Sequence, residues 1–132
     1  MLKIYSIACG QSGSRVVTSQ NDLDTQLTGC TTIVGSIEIA NYTGSFALPN
    51  VTSVTGSIYT TPDVSNITSF EMADLSQTLS ISLANVPKLT SINLPGLRTI
   101  HAIQIGGENV AKIYFTSLLT VGSINLYGNF LS

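Results

Sequence analysis

Gly35-Ser36-Ile37-Glu38-Ile39, Gly56-Ser57-Ile58-Tyr59-Thr60, Leu79-Ser80-Ile81-Ser82-Leu83, His101-Ala102-Ile103-Gln104-Ile105 and Gly122-Ser123-Ile124-Asn125-Leu126 are versions of one short phrase. Its third residue is always isoleucine, and apolar third and fifth positions alternate with polar or small second and fourth ones. That period of two is the mark of a strand with one buried face. The phrases divide the chain into units 35–55, 56–78, 79–100 and 101–121, of 21, 23, 22 and 21 residues, with a fifth beginning at Gly122. Self-similarity at such a period marks a solenoid. Ile37, Ile58, Ile81, Ile103 and Ile124 are therefore expected to form an inward ladder.

A second apolar pattern follows in each unit: Phe46, Leu48, Val51 and Val54; Phe70, Met72, Leu75 and Thr78; Ile92, Leu94, Leu97 and Ile100; Ile113, Phe115, Leu118 and Val121. Length variation falls outside these columns, around Pro62-Asp63 and Asn85-Val86-Pro87, where Asn, Gly and Pro suit tight corners. No segment keeps a 3.6-residue period for long, and Pro49, Pro62, Pro87 and Pro95 interrupt the candidates. The expected fold is all-β, a right-handed parallel β-solenoid of about four to five coils with a short N-terminal capping helix.

The helix is read from Ser19-Gln20-Asn21-Asp22, which has capping-box spacing, and from Leu23 and Leu27, four residues apart on one face. It is expected to end near Gly29 and to cover the open end of the stack, whose strand edges would otherwise face solvent. Cys9 and Cys30 flank this segment. Bridged, they would pin the lid and contribute about 3 kcal/mol on a chain-entropy account; two buried free thiols are the alternative. The expected division is 1–8 as the remnant of a signal region or a disordered start, 9–34 as the cap, and 35–132 as repeats that look C-terminally truncated, since the fifth unit carries no lid.

At 132 residues the chain has room for one domain. Only 9% of residues are charged, against roughly 25% in an ordinary soluble domain, while Ser and Thr number 33. Solubility must rest on hydroxyls and amides. The scattered charges offer no basic stripe for nucleic acid and no polybasic segment for an anionic membrane. No window reaches the length of a membrane span.

The stretch from Cys9 through Ser19-Gln20-Asn21-Asp22-Leu23 to Cys30-Thr31-Thr32-Ile33-Val34-Gly35-Ser36-Ile37, with later Leu48-Pro49-Asn50-Val51 and Leu94-Pro95-Gly96-Leu97, resembles the N-terminal part of fungal GPI-anchored cell-wall organization proteins. The coils are similar to the receptor L-domain-type, leucine-rich repeats of that family, and the likeness spans Cys9 to Ser132. It implies a secreted, N-glycosylated protein at the fungal plasma membrane or wall, anchored by a GPI group and without established catalytic residues. A full signal peptide, the latter repeats, the Ser/Thr-rich stalk and the anchor signal of that family have no counterpart in this sequence.

Three N-glycosylation sequons occur, at Asn41, Asn50 and Asn66, with Asn50 the least accessible if its corner is tight. They are weak evidence for secretion alone, because about two would arise by chance at this Ser/Thr content. His101, the only histidine, has no nucleophile or carboxylate beside it and reads as a corner residue. Glu71 and Asp74 have the separation of an imagined glycosidase pair but lack stacking aromatics, so solvated corner residues are expected. Clustered metal ligands are missing, Gly106-Gly107 lacks a phosphate-loop pattern, and no cofactor is expected. The outward column Glu38, Tyr59, Ser82, Gln104 and Asn125 is the candidate binding face, with a plain solvated strand surface as the simpler reading.

Three functions follow from these readings. The first is a non-enzymatic cell-surface or cell-wall protein contacting glucan, mannoprotein or another surface protein. The second is an extracellular ligand- or glycan-recognition module, and the third a β-helical carbohydrate-active enzyme.

Overall fold

In the computed structural model, residues 8–10, 13–27, 29–106 and 112–127 are described. The coil phrases become strands stacked in parallel. One sheet has eight strands: β1 (Ala8–Cys9), β2 (Ser14–Val17), β3 (Thr32–Ile33), β4 (Ser36–Ile39), β6 (Ser53–Thr60), β8 (Gln77–Leu83), β10 (Thr99–Gly106) and β12 (Thr120–Tyr127). The other has four, in the order β11 (Lys112–Tyr114), β9 (Ser91–Asn93), β7 (Asn66–Glu71) and β5 (Thr43–Ala47). Together they make a β-solenoid of about 5 turns. The single helix among the described residues, α1 (Gln20–Leu27), lies at the N-terminal side.

The isoleucine ladder is in register at every step: Ile37 pairs with Ile58, Ile58 with Ile81, Ile81 with Ile103 and Ile103 with Ile124. The first four are buried, whereas Ile124 is 46% exposed on the last described strand. The second pattern is equally regular. Phe46, Val51, Phe70, Met72, Leu75, Ile92 and Leu97 are fully buried, and Ile113, Phe115, Leu118 and Val121 pack at the margin of the same core. Phe46 pairs with Phe70 across adjacent strands, and their rings stack with centroids 4.7 Å apart, the spacing of neighbouring strands.

Hydroxyls do more than solubilise the chain. At the corners a Ser or Thr hydroxyl adds a bond to the preceding coil, and for Thr52, Ser76 and Thr90 it goes to the same carbonyl that the residue's own N–H already reaches, at 2.8, 2.8 and 2.9 Å. Thr52 Oγ1 donates to the Thr31 carbonyl (3.1 Å), Ser76 Oγ to Thr52 (3.0 Å), Thr90 Oγ1 to Thr68 (3.0 Å) and Thr116 Oγ1 to Pro95 (3.2 Å). Inside the stack Thr60 Oγ1 donates to the Ala84 carbonyl and accepts the Ala84 N–H, both at 2.9 Å. A buried threonine is tolerated there because its hydroxyl is doubly used.

The register also continues upstream of residue 35. Ser14, Arg15, Val16 and Val17 pair with Ser36, Ile37, Glu38 and Ile39, and β1 pairs with β3. Residues 9–34 therefore supply strands as well as the helix. The expected start over 1–8 lies outside the described residues up to Ile7, as do Gly107 and the last residues, 128–132.

Because burial along the ladder is nearly complete until the last described coil, Ile81→Ala is expected to cost about 2–5 kcal/mol and Ile124→Ala about 1 kcal/mol or less. Paired urea titrations of the two variants read this directly. Equal losses would contradict the burial gradient.

Candidate functional site

The N-terminal end is built as a closure. Ser19 caps α1, its Oγ accepting the Asp22 N–H at 3.1 Å. Asp22 reaches back one residue further than a capping box requires: its Oδ2 accepts the Thr18 N–H (2.8 Å) and the Thr18 hydroxyl (2.6 Å). Those bonds hold its carboxyl below the ordinary 3.8. Leu23 and Leu27 are buried beneath the helix, and Gly29 ends it in left-handed backbone, φ 81°.

What the helix covers is the edge of β5, the outermost strand of its sheet among the described residues. Gln20 imitates a missing strand there. Its Nε2 donates to the Ala47 carbonyl (2.8 Å) and its Oε1 accepts the Ala47 N–H (3.0 Å). Tyr42 completes the edge, its hydroxyl donating to the Ser45 carbonyl (2.8 Å) and lying 3.3 Å from Gln20 Oε1. Burial, reinforced by the charges of Asp24 and Asp22, raises the Tyr42 phenol well above its usual range and keeps it a donor. On the other sheet the terminal strand puts a charge, Arg15, at the ladder position that isoleucine holds in later coils, a device that discourages strand addition.

Cys9 and Cys30 are joined, with Cα atoms 5.7 Å apart, so the open-thiol alternative falls. The bridge ties β1 to the segment leaving α1. Such bonds form and persist in oxidising environments, which points to an extracellular or secreted setting. No helix among the described residues is long and apolar enough to cross a membrane.

The outward column is assembled as expected. Glu38, Tyr59, Ser82, Gln104 and Asn125 are consecutive cross-strand neighbours. Beside it runs a serine column in which Ser36 Oγ accepts the Ser57 N–H (3.0 Å) and Ser57 and Ser80 hydroxyls meet at 2.7 Å. The sequence reading missed that both columns begin earlier, at Ser14 and the half-exposed Val16. Tyr59 leans across β4 to bond Ser14, 2.7 Å between hydroxyls. Beside the register shift within β6, Thr55, Gln77, Leu79 and Thr99 help line an open groove of about 250 Å³. Its lining carries hydroxyls, an amide and apolar carbon but no ionisable group, which suits hydrogen bonding to a neutral ligand.

The remaining candidates are separated. His101 is exposed on β10, beside the close backbone contact at Gly122. Glu71 ends β7, and Asp74 accepts the Asn50 N–H at 2.8 Å, so its carboxylate anchors the preceding corner. No metal-capable cluster occurs among the described residues. Asn41 and Asn50 are exposed at corners, while Asn66 is half-buried at the start of β7.

No family model, curated protein or solved structure matches this chain.

Two predictions follow from the closure. Cys9→Ser/Cys30→Ser should lose about 3 kcal/mol of stability on a chain-entropy account, read by denaturation with and without reductant; an unchanged midpoint would contradict the cross-link's role. Asp22 stabilises α1 fully above pH 3.8 and loses that effect as pH falls through its lower folded value. Melting curves should show Asp22→Asn destabilised near neutrality and the difference shrinking as pH falls below 3.8 and through the lowered folded value. A pH-independent difference would contradict the carboxylate's part.

Proposed function

We propose that this chain is a non-enzymatic, extracellular display module of a fungal cell wall, supporting wall organization through contact with glucan, mannoprotein or another surface protein. The observation that carries the reading is the disulfide-closed cap on a sparsely charged, hydroxyl-rich solenoid. A small rigid body of this kind suits an oxidising exterior, and its surface offers neutral hydrogen-bonding groups, with no cluster of three or more His, Cys, Asp or Glu among the described residues. The resemblance of the Cys9–Ile37 stretch and the Leu-Pro coils to fungal wall-organization proteins supplies the wall and, by extension, attachment through a GPI group.

A second reading, ligand recognition, is favoured by one feature: the in-register column from Glu38 to Asn125 beside the hydrogen-bonded serines. The two readings share a location and differ in whether a saturable ligand exists.

An epitope-tagged copy in a fungal host should be accessible to external protease on intact cells and should fractionate with surface or wall material. A cytosolic, reduced protein would overturn the proposal. Purified chain titrated with β-glucan and mannan then separates display from saturable recognition.

A further inference from the structure

Three asparagines hold left-handed backbone at coil corners: Asn41 (φ 50°), Asn50 (φ 72°) and Asn85 (φ 55°). Asparagine tolerates that conformation better than most residues, which accounts for the residue type at each. Their side chains are used differently. Asn85 donates its amide to the Pro62 carbonyl (3.3 Å), joining successive corners. Among the described residues no hydrogen bond engages the side chain of Asn41 or Asn50, and both residues are exposed.

These two, unlike Asn85, head acceptor sequences, Asn41-Tyr42-Thr43 and Asn50-Val51-Thr52. In each the middle residue is fully buried and fixes the corner, while the threonine is exposed. Asp74 further pins the Asn50 backbone. The third sequon shares the buried middle residue, Ile67, and the exposed threonine, Thr68, and differs at its asparagine. Asn66 is half-buried within β7, its N–H bonded to the Tyr42 carbonyl at 2.7 Å and its backbone registered against Thr43.

We infer that Asn41 and Asn50 carry N-linked oligosaccharide and that Asn66 does not. The donor is a lipid-diphosphate-linked oligosaccharide. The asparagine Nδ2 forms a bond to the anomeric carbon, the anomeric carbon–oxygen bond breaks, the lipid diphosphate leaves, and the nitrogen gives up one proton to the transferase. Asn41 precedes β5 and Asn50 follows it, so the two glycans bracket the strand whose edge Gln20 and Tyr42 already cover. Bulk at both corners hinders addition of a foreign strand there.

The inference rests on the extracellular reading only in requiring entry to the secretory pathway, and a fused leader removes that dependence. The complete 132-residue chain is expressed behind a heterologous leader in a glycosylating host, and all lumenal protein, secreted or retained, is deglycosylated enzymatically in heavy-oxygen water. Peptide mass spectrometry should find the isotope label at positions 41 and 50 and only a minor fraction at 66. Thr43→Ala and Thr52→Ala should each remove the mass of one glycan. Comparable label at 66, or an unlabelled 41 or 50, overturns the inference. A cytosolic location of the untagged protein in its own cell would instead defeat the extracellular reading and leave this site ranking standing.

Discussion

Everything in this protein depends on one constraint: each coil must hydrogen-bond to its neighbours in register, because a strand in a solenoid has no other partner for its backbone. The isoleucine ladder is the visible result. A slip of one residue would turn Ile58 or Ile81 outward and bring Tyr59 or Ser82 into the core. Differences in coil length are therefore absorbed at corners such as Pro62-Asp63 and at two register shifts within paired strands, between Gly44 and Ser45 and between Val54 and Ser57, while the hydroxyls of Thr52, Ser76, Thr90 and Thr116 add bonds between coils at the corners. The high Ser/Thr content thus serves cohesion between coils as well as solubility.

The same constraint makes the two ends problems to be solved. At the N-terminal end the solution is explicit. Gln20 reproduces the donor and acceptor of a strand residue, Tyr42 serves the Ser45 carbonyl, and α1 lays Leu23 and Leu27 over the core. Arg15 places a charge where the next rung of the ladder would lie, and the disulfide fastens the assembly. At the last described coil, Ile124 and Leu126 are 46% and 44% exposed. The described body is accordingly polar, with one end closed and apolar surface concentrated at the other.

The repeats were legible because they state the period directly: Ile at the third position five times, then four aligned columns from Phe46 to Val121. The helix was legible from Ser19, Asp22 and the Leu23–Leu27 spacing. What escaped was of three kinds. Arg15 occupies a ladder position with a residue that breaks the apolar pattern, which hid β2 inside a segment that otherwise read as a cap. Tyr42, Val86 and Leu89 are fully buried at corners whose variable length defeats column counting, and Ile67 is fully buried in β7 beside a register shift. Gln20's contact with Ala47 joins residues 27 apart through a side chain, and local spacing carries no trace of such a bond. The outward face was legible in its membership but not in its hydrogen bonding, since Tyr59 meeting Ser14 requires the upstream strand.

The central claim is a linear stack secured at the N-terminal end and progressively less protected toward β12. Native-state amide hydrogen exchange tests it most directly, because it reads local opening strand by strand. The account predicts strongest protection in β4, β6 and β8, with protection declining through β10 to β12. Uniform protection across all strands, or fraying that begins at β2 and α1, would contradict it.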